Sequence, residues 1–146
     1  EKNILDISLF GPLIFFKKYL VGGKKISPNY IEHKILRKMN DPRIHFAINC
    51  ASISCPPLGN RILLGSKLDK QLDEKAKLFI NDRANVYINH KNKTIYLNRI
   101  FKWFKKDFGI IHQYILKYIT NPPEFNQIKH YKIKYLDYDW SSNSLK

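Results

Sequence analysis

Cysteine is scarce in this chain: Cys50 and Cys55 are the only two among 146 residues. Two thiols are too few for a disulfide scaffold, and their C-x4-C spacing is looser than that of a zinc knuckle. A disulfide between them would close a very short loop, which an oxidising compartment permits and the spacing does not require. Long apolar runs are missing too. No stretch reaches the roughly 18 apolar residues of a membrane-spanning helix. The segment ISLFGPLIFFKKYL is broken by Gly11 and Pro12 and carries no basic leader, so it does not read as a signal peptide. Localisation stays open, with a soluble periplasmic or secreted protein as the outcome if a signal had been removed ahead of residue 1. Low-complexity linkers and internal repeats are also lacking. The expectation is a single domain, 1–146, of a size that buries roughly two thirds of its unfolded surface.

Acidic residues are few, 12 against 26 Lys and Arg, for a formal net charge of +14. A basic surface attracts phosphate whatever the fold. Only five of those cations are arginines, however, and the lysines fall in ones and twos, as at Lys17 and Lys18 or Lys105 and Lys106. The charge is dispersed, so the expected partners are anionic polymers or a membrane surface held by weak electrostatics rather than a sequence read by a basic face.

What is present reads as mixed helix and strand. SPNYIEHKILRKMN opens with Ser27 as N-cap and Pro28 at the first helical position, and Ile31, Ile35 and Met39 recur every fourth residue as its apolar stripe. RIHFAINC is short, continuously apolar and bounded by prolines, the pattern of a buried strand. SKLDKQLDEKAKLFINDR begins with Ser66 and Asp69 in a capping-box spacing, and Leu68, Leu72, Ala76 and Phe79 form its buried stripe. NVYINHKNKTIYLN alternates on both sides of a turn at residues 90–93 and reads as a hairpin. RIFKWFKKDFG is a short helix stopped by Gly109, IIHQYILKYIT is another helix, and HYKIKYLDYDWSSN alternates as a strand. Without repeated βαβ units this predicts an α+β fold, a mainly antiparallel sheet of about four strands packed with several helices.

The segment DPRIHFAINCASISCPPLGN carries the chemistry. If residues 44–49 form a strand, His45 and Asn49 share one face, with only alanine between them. Two polar groups on a buried strand are costly unless something uses them. Cys50 ends the strand beside the imidazole, and a thiol there is deprotonated more readily and becomes a nucleophile. Cys55 competes for that role from a loop that Pro56 and Pro57 stiffen. The choice between the thiols stays open, with Cys50 preferred. The loop after Cys50, including Ser52, offers backbone N–H groups for an oxyanion, and the Asn49 amide is placed to polarise a carbonyl. Glu32 or Asp107 would orient His45 as the carboxylate of a nucleophile, base and orienter set. His33, beside Glu32, would join as a binding residue. His33, His45, Cys50 and Cys55 are suitable zinc ligand types, but their spacing matches no zinc motif, so no metal and no cofactor are expected.

The blocks NYIEHKILR, DPRIHFAINCASISCPPL, NRIFKWFKKDFG and YLDYDWSSN, in this order, resemble the domain of unknown function 547 family of bacteria and plants. The resemblance runs from about Lys24 to Asn143, and IHFAINCASISCPPL is its most specific part. Family members carry, ahead of these blocks, a helical segment rich in Trp, Asn and Tyr that this sequence does not show. That implies a fragment of a longer domain lacking its N-terminal helices. The family name carries no agreed activity, so the resemblance implies fold and sites more than a reaction. The expectation is a cysteine-protease or transglutaminase-like domain acting as a cysteine-dependent hydrolase or acyl-transferase. The alternative is a non-catalytic interaction or scaffolding domain in which the same residues fix a core loop.

Overall fold

Alternation on either side of residues 90–93 produces the expected hairpin. In the structure, a computed structural model that describes residues 3–7 and 12–143, strands β3 (Val86–Asn89) and β4 (Thr94–Leu97) pair antiparallel with Tyr87 opposite Tyr96 and Ile88 opposite Ile95. The two tyrosine rings stack at 5.9 Å on the outer face. Strand β5 (Lys132–Tyr135) joins the other edge of β4 in parallel, so β4 is central and Ile95 and Leu97 are fully enclosed. A parallel neighbour needs a long crossover. Short helices α3 (Ile100–Trp103), α4 (Lys105–Phe108), α5 (Ile111–Leu116) and α6 (Phe125–Ile128) supply it. Gly109, at φ +62°, stops α4 as its position suggested.

The strands number five rather than about four, and they divide between two sheets. The second sheet is a hairpin of β1 (Tyr19–Val21) and β2 (Lys24–Ile26), joined by Gly22 and Gly23, both at positive φ. Two adjacent glycines are the residues a tight hairpin turn demands, a signal hidden by the apolar segment that precedes it.

The helix expected after Ser27 forms, but not as one regular α-helix. Ser27 Oγ caps the Tyr30 N–H at 3.2 Å and Pro28 stands at the first position. After α1 (Pro28–Tyr30) the chain widens into a π-turn at Ile31–Ile35, tightens into a 3-10 turn at Leu36–Met39 and stops at Asn40, φ 56°. The wide turn shifts the register of the helix face. Ile35 and Met39, expected in the core, are exposed, while Glu32, His33 and Leu36 are half-buried.

The strand expected at RIHFAINC is not one. Pro42–Phe46 is a 3-10 helix, because Asp41 caps it through the Arg43 N–H at 3.0 Å and Pro42 occupies its first turn. Asp-Pro at this point is therefore a helix start rather than a strand boundary. Arg43 then binds Asp41, Asp69 and Asp73 at 2.7–2.8 Å, which docks this turn on α2 (Leu68–Asn81). Three carboxylates around one guanidinium also explain why the Ser66–Asp69 capping box is not made: Asp69 faces Arg43, and Lys67 occupies the cap position without a side-chain bond. Leu72, Ala76 and Phe79 are buried as expected, whereas Leu68 is exposed and Ile80 takes its share of the core.

Ile44, His45 and Phe46 are buried consecutively, which a strand facing one side could not do. Phe46 is 1% exposed and lies 4.9 Å from Phe79, 5.8 Å from Phe101 and 5.7 Å from Phe108, ring centre to ring centre. These aromatics join α2, α3 and α4 to the short turn that bears His45. Among the described residues no helix is long and apolar enough to cross a membrane. Phe46→Ala should cost about 3–5 kcal/mol of stability in urea unfolding, the usual range for emptying a packed phenylalanine site. A loss below about 1 kcal/mol would contradict this packing.

Candidate functional site

Residues 47–57 form an irregular loop that the C-terminal segment straps down. Ser52 bridges to Ser142, the Ile53 N–H donates to Ser141 O at 2.9 Å, and the Asn143 N–H donates to Ala51 O at 2.9 Å. Asn49 holds the loop from inside. Its Oδ1 accepts the Ala51 N–H at 2.8 Å, and its Nδ2 donates to Pro56 O at 2.7 Å. Ala51 has φ +63°, a left-handed conformation that costs a residue with a Cβ roughly 1–2 kcal/mol. The strained residue is the one directly after Cys50, and the loop bonds enforce it.

The same strap brings in hydroxyls. Cys50 Sγ lies 3.1 Å from Ser52 Oγ and 3.4 Å from Tyr138 Oη, and those two oxygens are 3.2 Å apart. Cys55 returns beside Cys50, where its Sγ accepts the Cys50 N–H at 2.8 Å. The thiols are free and half-buried. They titrate as a pair and separate in opposite directions. Contact with Cys55 and hydrogen bonds with the Ser52 and Tyr138 hydroxyls hold Cys50 low, whereas Cys55 is pushed up by its Cys50 neighbour and by burial.

The imidazole belongs to a second cluster. His45, with 1% of its side chain exposed, lies against the Phe104 ring at 3.8 Å and hydrogen-bonds through Nε2 to Asp107 Oδ2 at 2.8 Å. Asp107 is in turn gripped bidentately by Arg37, Nε to Oδ2 at 2.6 Å and Nη2 to Oδ1 at 2.7 Å. That guanidinium, helped by His45, brings the Asp107 carboxyl down to about 2. An ionised Asp107 can only accept, so His45 carries its proton on Nε2 and its Nδ1 is left as the basic nitrogen. Nδ1 has no hydrogen-bond partner. Its nearest charged neighbour is Glu32 Oε1 at 3.8 Å, beyond hydrogen-bond reach. Arg37 Nη1 donates to His33 Nδ1 at 2.9 Å, which fixes the other imidazole as an acceptor.

Burial lowers the His45 pKa below 6.5 despite the Asp107 bond, and burial raises that of Glu32 above 4.5. Glu32 also feels the charge of Cys50, which raises its pKa further.

Both clusters open into one cavity of about 380 Å³. Its walls are mainly apolar, with Phe15, Ile31, Leu36, Ile48, Trp103 and Trp140 among them, and Glu32, His33, His45, Asn49, Cys50 and Cys55 face it together with Asn29 and Tyr138. The sequence-predicted residues therefore gather in one place, although the strand geometry used to place His45 and Asn49 is absent. Asp107 rather than Glu32 is in hydrogen-bond contact with the imidazole. Ser52 contributes its side chain, not only a backbone N–H. Arg37 and Tyr138 were missed. Arg37 stands four residues after His33 on a helical stretch, a spacing that could have flagged it. Tyr138 lies in a block whose aromatics read as packing, and no local pattern marks it. Among the described residues, no group of three or more His, Cys, Asp or Glu side chains is arranged to hold a metal ion.

A histidine whose folded pKa lies below its unfolded value destabilises the fold as acid is added, because the unfolded chain takes up a proton that the native state refuses. Stability should therefore fall as pH drops below about 6.5, and His45→Gln should remove that slope. Asp107 works in a lower window. Its bonds contribute fully above the unfolded carboxyl pKa near 3.8 and are lost as pH falls towards about 2. Denaturant melts between pH 7 and 5 check the histidine assignment, and an unchanged slope in the variant would refute it.

Comparison with known proteins gives one finding. A family model described as "Protein of unknown function, DUF547" matches residues 12–80. That stretch holds Glu32, His33, His45, Asn49, Cys50, Ser52 and Cys55, while Asp107 and Tyr138 lie beyond it. Neither the curated proteins nor the solved structures yield a match. Over residues 12–80, the half of the site that bears both thiols and the imidazole, this chain resembles the DUF547 family of proteins of unknown function.

Proposed function

We propose that this chain is a thiol-dependent acyl-transfer domain, a hydrolase or acyl-transferase with Cys50 as its nucleophile. One observation carries the reading. A thiol held by two hydroxyls faces the same apolar cavity as a buried imidazole, one nitrogen of which is committed to a carboxylate while the other has no hydrogen-bond partner. A hydroxyl-held thiol is nucleophilic at neutral pH. An imidazole with a fixed tautomer and a lone pair without a hydrogen-bond partner is a general base in waiting.

In this reading the Cys50 sulfur adds to a substrate carbonyl, and the leaving group departs with a proton from the Glu32–His45 pair. The product is a thioester on Cys50. Water or an acceptor hydroxyl or amine then gives its proton to the same pair, attacks the thioester and returns Cys50 as thiolate. Asp107, held by Arg37, keeps the His45 proton on Nε2, so its role is orientation. Asn49 spends its oxygen and one N–H on the loop and has a second N–H for the carbonyl oxygen. The combination of thiol, imidazole and carboxylate is what supports a likeness to cysteine proteases and transglutaminases.

A scaffolding reading has its own support in the Asn49 and strap hydrogen bonds, which fix the loop whether or not chemistry follows. Reaction with p-nitrophenyl esters and acyl thioesters of increasing chain length separates the two. The acyl-transfer reading expects an acyl adduct on Cys50 by mass spectrometry. It also expects turnover that falls by at least about 10³-fold in Cys50→Ala and by about 10²–10⁴-fold in His45→Ala. Absence of any adduct, together with folded-state thiols that resist iodoacetamide at pH 7, would leave the scaffolding reading.

A further inference from the structure

Acyl transfer of this kind uses one sulfur and leaves Cys55 without a task. Its placement is nonetheless specific. The Cys55 N–H donates to Ser52 O at 3.1 Å, so the loop turns back on itself, and Cys55 Sγ comes to rest 2.8 Å from the Cys50 backbone nitrogen. That nitrogen is two bonds from the Cβ that carries the other sulfur. Pro56 and Pro57 fix the backbone after Cys55, and its sulfur also meets the Cys50 side chain, the Tyr138 hydroxyl and, at 3.8 Å, Ile48 O. Both cysteines face the cavity, so a small oxidant that enters meets both sulfurs.

We propose that Cys50 and Cys55 form a reversible dithiol–disulfide site that consumes hydroperoxides, with Cys50 as the attacking sulfur and Cys55 as the resolving one. The Cys50 thiolate attacks the outer oxygen of the peroxide and the O–O bond breaks. Cys50 becomes a sulfenic acid, oxidised by two electrons, and the other oxygen leaves as alkoxide or hydroxide, which takes a proton to give alcohol or water. The Cys55 sulfur then attacks the Cys50 sulfur. The S–O bond breaks, hydroxide leaves with the Cys55 proton as water, and the disulfide is formed. Two equivalents of a small thiol restore the reduced pair. The Ser52 and Tyr138 hydroxyls that surround Cys50 are placed to hold the attacking thiolate, and the division of roles between the cysteines follows from them: both hydroxyls face Cys50, whereas Cys55 shares only that of Tyr138 and otherwise meets the Cys50 N–H and Ile48 O.

This chemistry requires no acyl substrate, so it stands or falls independently of the acyl-transfer reading. Where both hold, oxidation blocks acylation because the nucleophile is consumed.

The test uses the folded, reduced protein, hydrogen peroxide and intact-mass measurement. The wild type is expected to lose two hydrogens and all iodoacetamide labelling, to give a Cys50–Cys55 cross-linked peptide, and to recover fully with dithiothreitol. In Cys55→Ser the reaction should halt at the sulfenic acid, captured by dimedone on Cys50. In Cys50→Ser, Cys55 should take up no dimedone, and thermal melts of both variants confirm that they are folded. Three results would overturn the proposal: gain of two or three oxygens by wild-type Cys50 in place of the disulfide, dimers linked between chains on a non-reducing gel, or dimedone capture on Cys55 in Cys50→Ser.

Discussion

The Asp107 carboxylate is where three parts of the chain meet. One oxygen accepts from both Arg37 and His45, and the other accepts a second N–H of Arg37. Arg37 comes from the irregular helical stretch after Ser27, His45 from the 3-10 turn that follows it, and Asp107 from α4, near the start of the crossover. No pair among these elements is joined by a long packed helix face. A half-buried carboxylate with a bidentate arginine is a strong, directional contact, and here it sets how far apart the walls of the cavity stand. Removing the carboxylate would leave a nearly buried imidazole and an arginine without their common partner, and breaking such a pair costs far more than never having made it.

A second constraint shapes the thiol side. The loop that bears Cys50 and Cys55 has no regular ladder of its own, so its backbone groups must find partners elsewhere. They find them in residues 139–143 and in the Asn49 amide. Tyr138, immediately before that strap, packs between Trp103 at 4.7 Å and Trp140 at 4.6 Å. Its hydroxyl is thereby held over Cys50. The positive φ of Ala51 fits this account: backbone strain persists only where surrounding contacts over-determine it.

The residue types of the site were legible in the sequence, but their geometry was not. His45, Asn49, Cys50 and Cys55 were singled out because polar and reactive groups stood in an apolar segment, and that signal depends on composition alone. The strand that was to align them failed because Asp41-Pro42 favours a helical turn, and because Arg43 finds three carboxylates that no local reading could bring together. Helix α2 and the β3–β4 hairpin were readable because each satisfies its pattern within fifteen residues or so. The parallel placement of β5, the Tyr138 hydroxyl and the Arg37–Asp107 bond join positions 38 to 88 residues apart, and no short-range periodicity encodes them. The π-turn at Ile31–Ile35 is the instructive intermediate case: the apolar period was real, and one widened turn was enough to move Glu32 towards the cavity and Ile35 away from it.

The large positive charge is a property of the outside. Among the described residues no lysine or arginine lines the cavity, and Arg37, near its polar end, is neutralised by Asp107. Exposed lysines act through water, where unit charges a Debye length apart are largely screened at physiological salt. The basic surface can thus bring an anionic particle close to this protein without selecting what enters it. Selection inside rests on different physics. A cavity of about 380 Å³ with mostly apolar walls rewards a substrate portion that sheds its water. The polar groups there, the two thiols, Glu32, two imidazoles, two amides and the Tyr138 hydroxyl, are outnumbered by apolar side chains. An apolar group is what such a chamber holds at the least cost in desolvation.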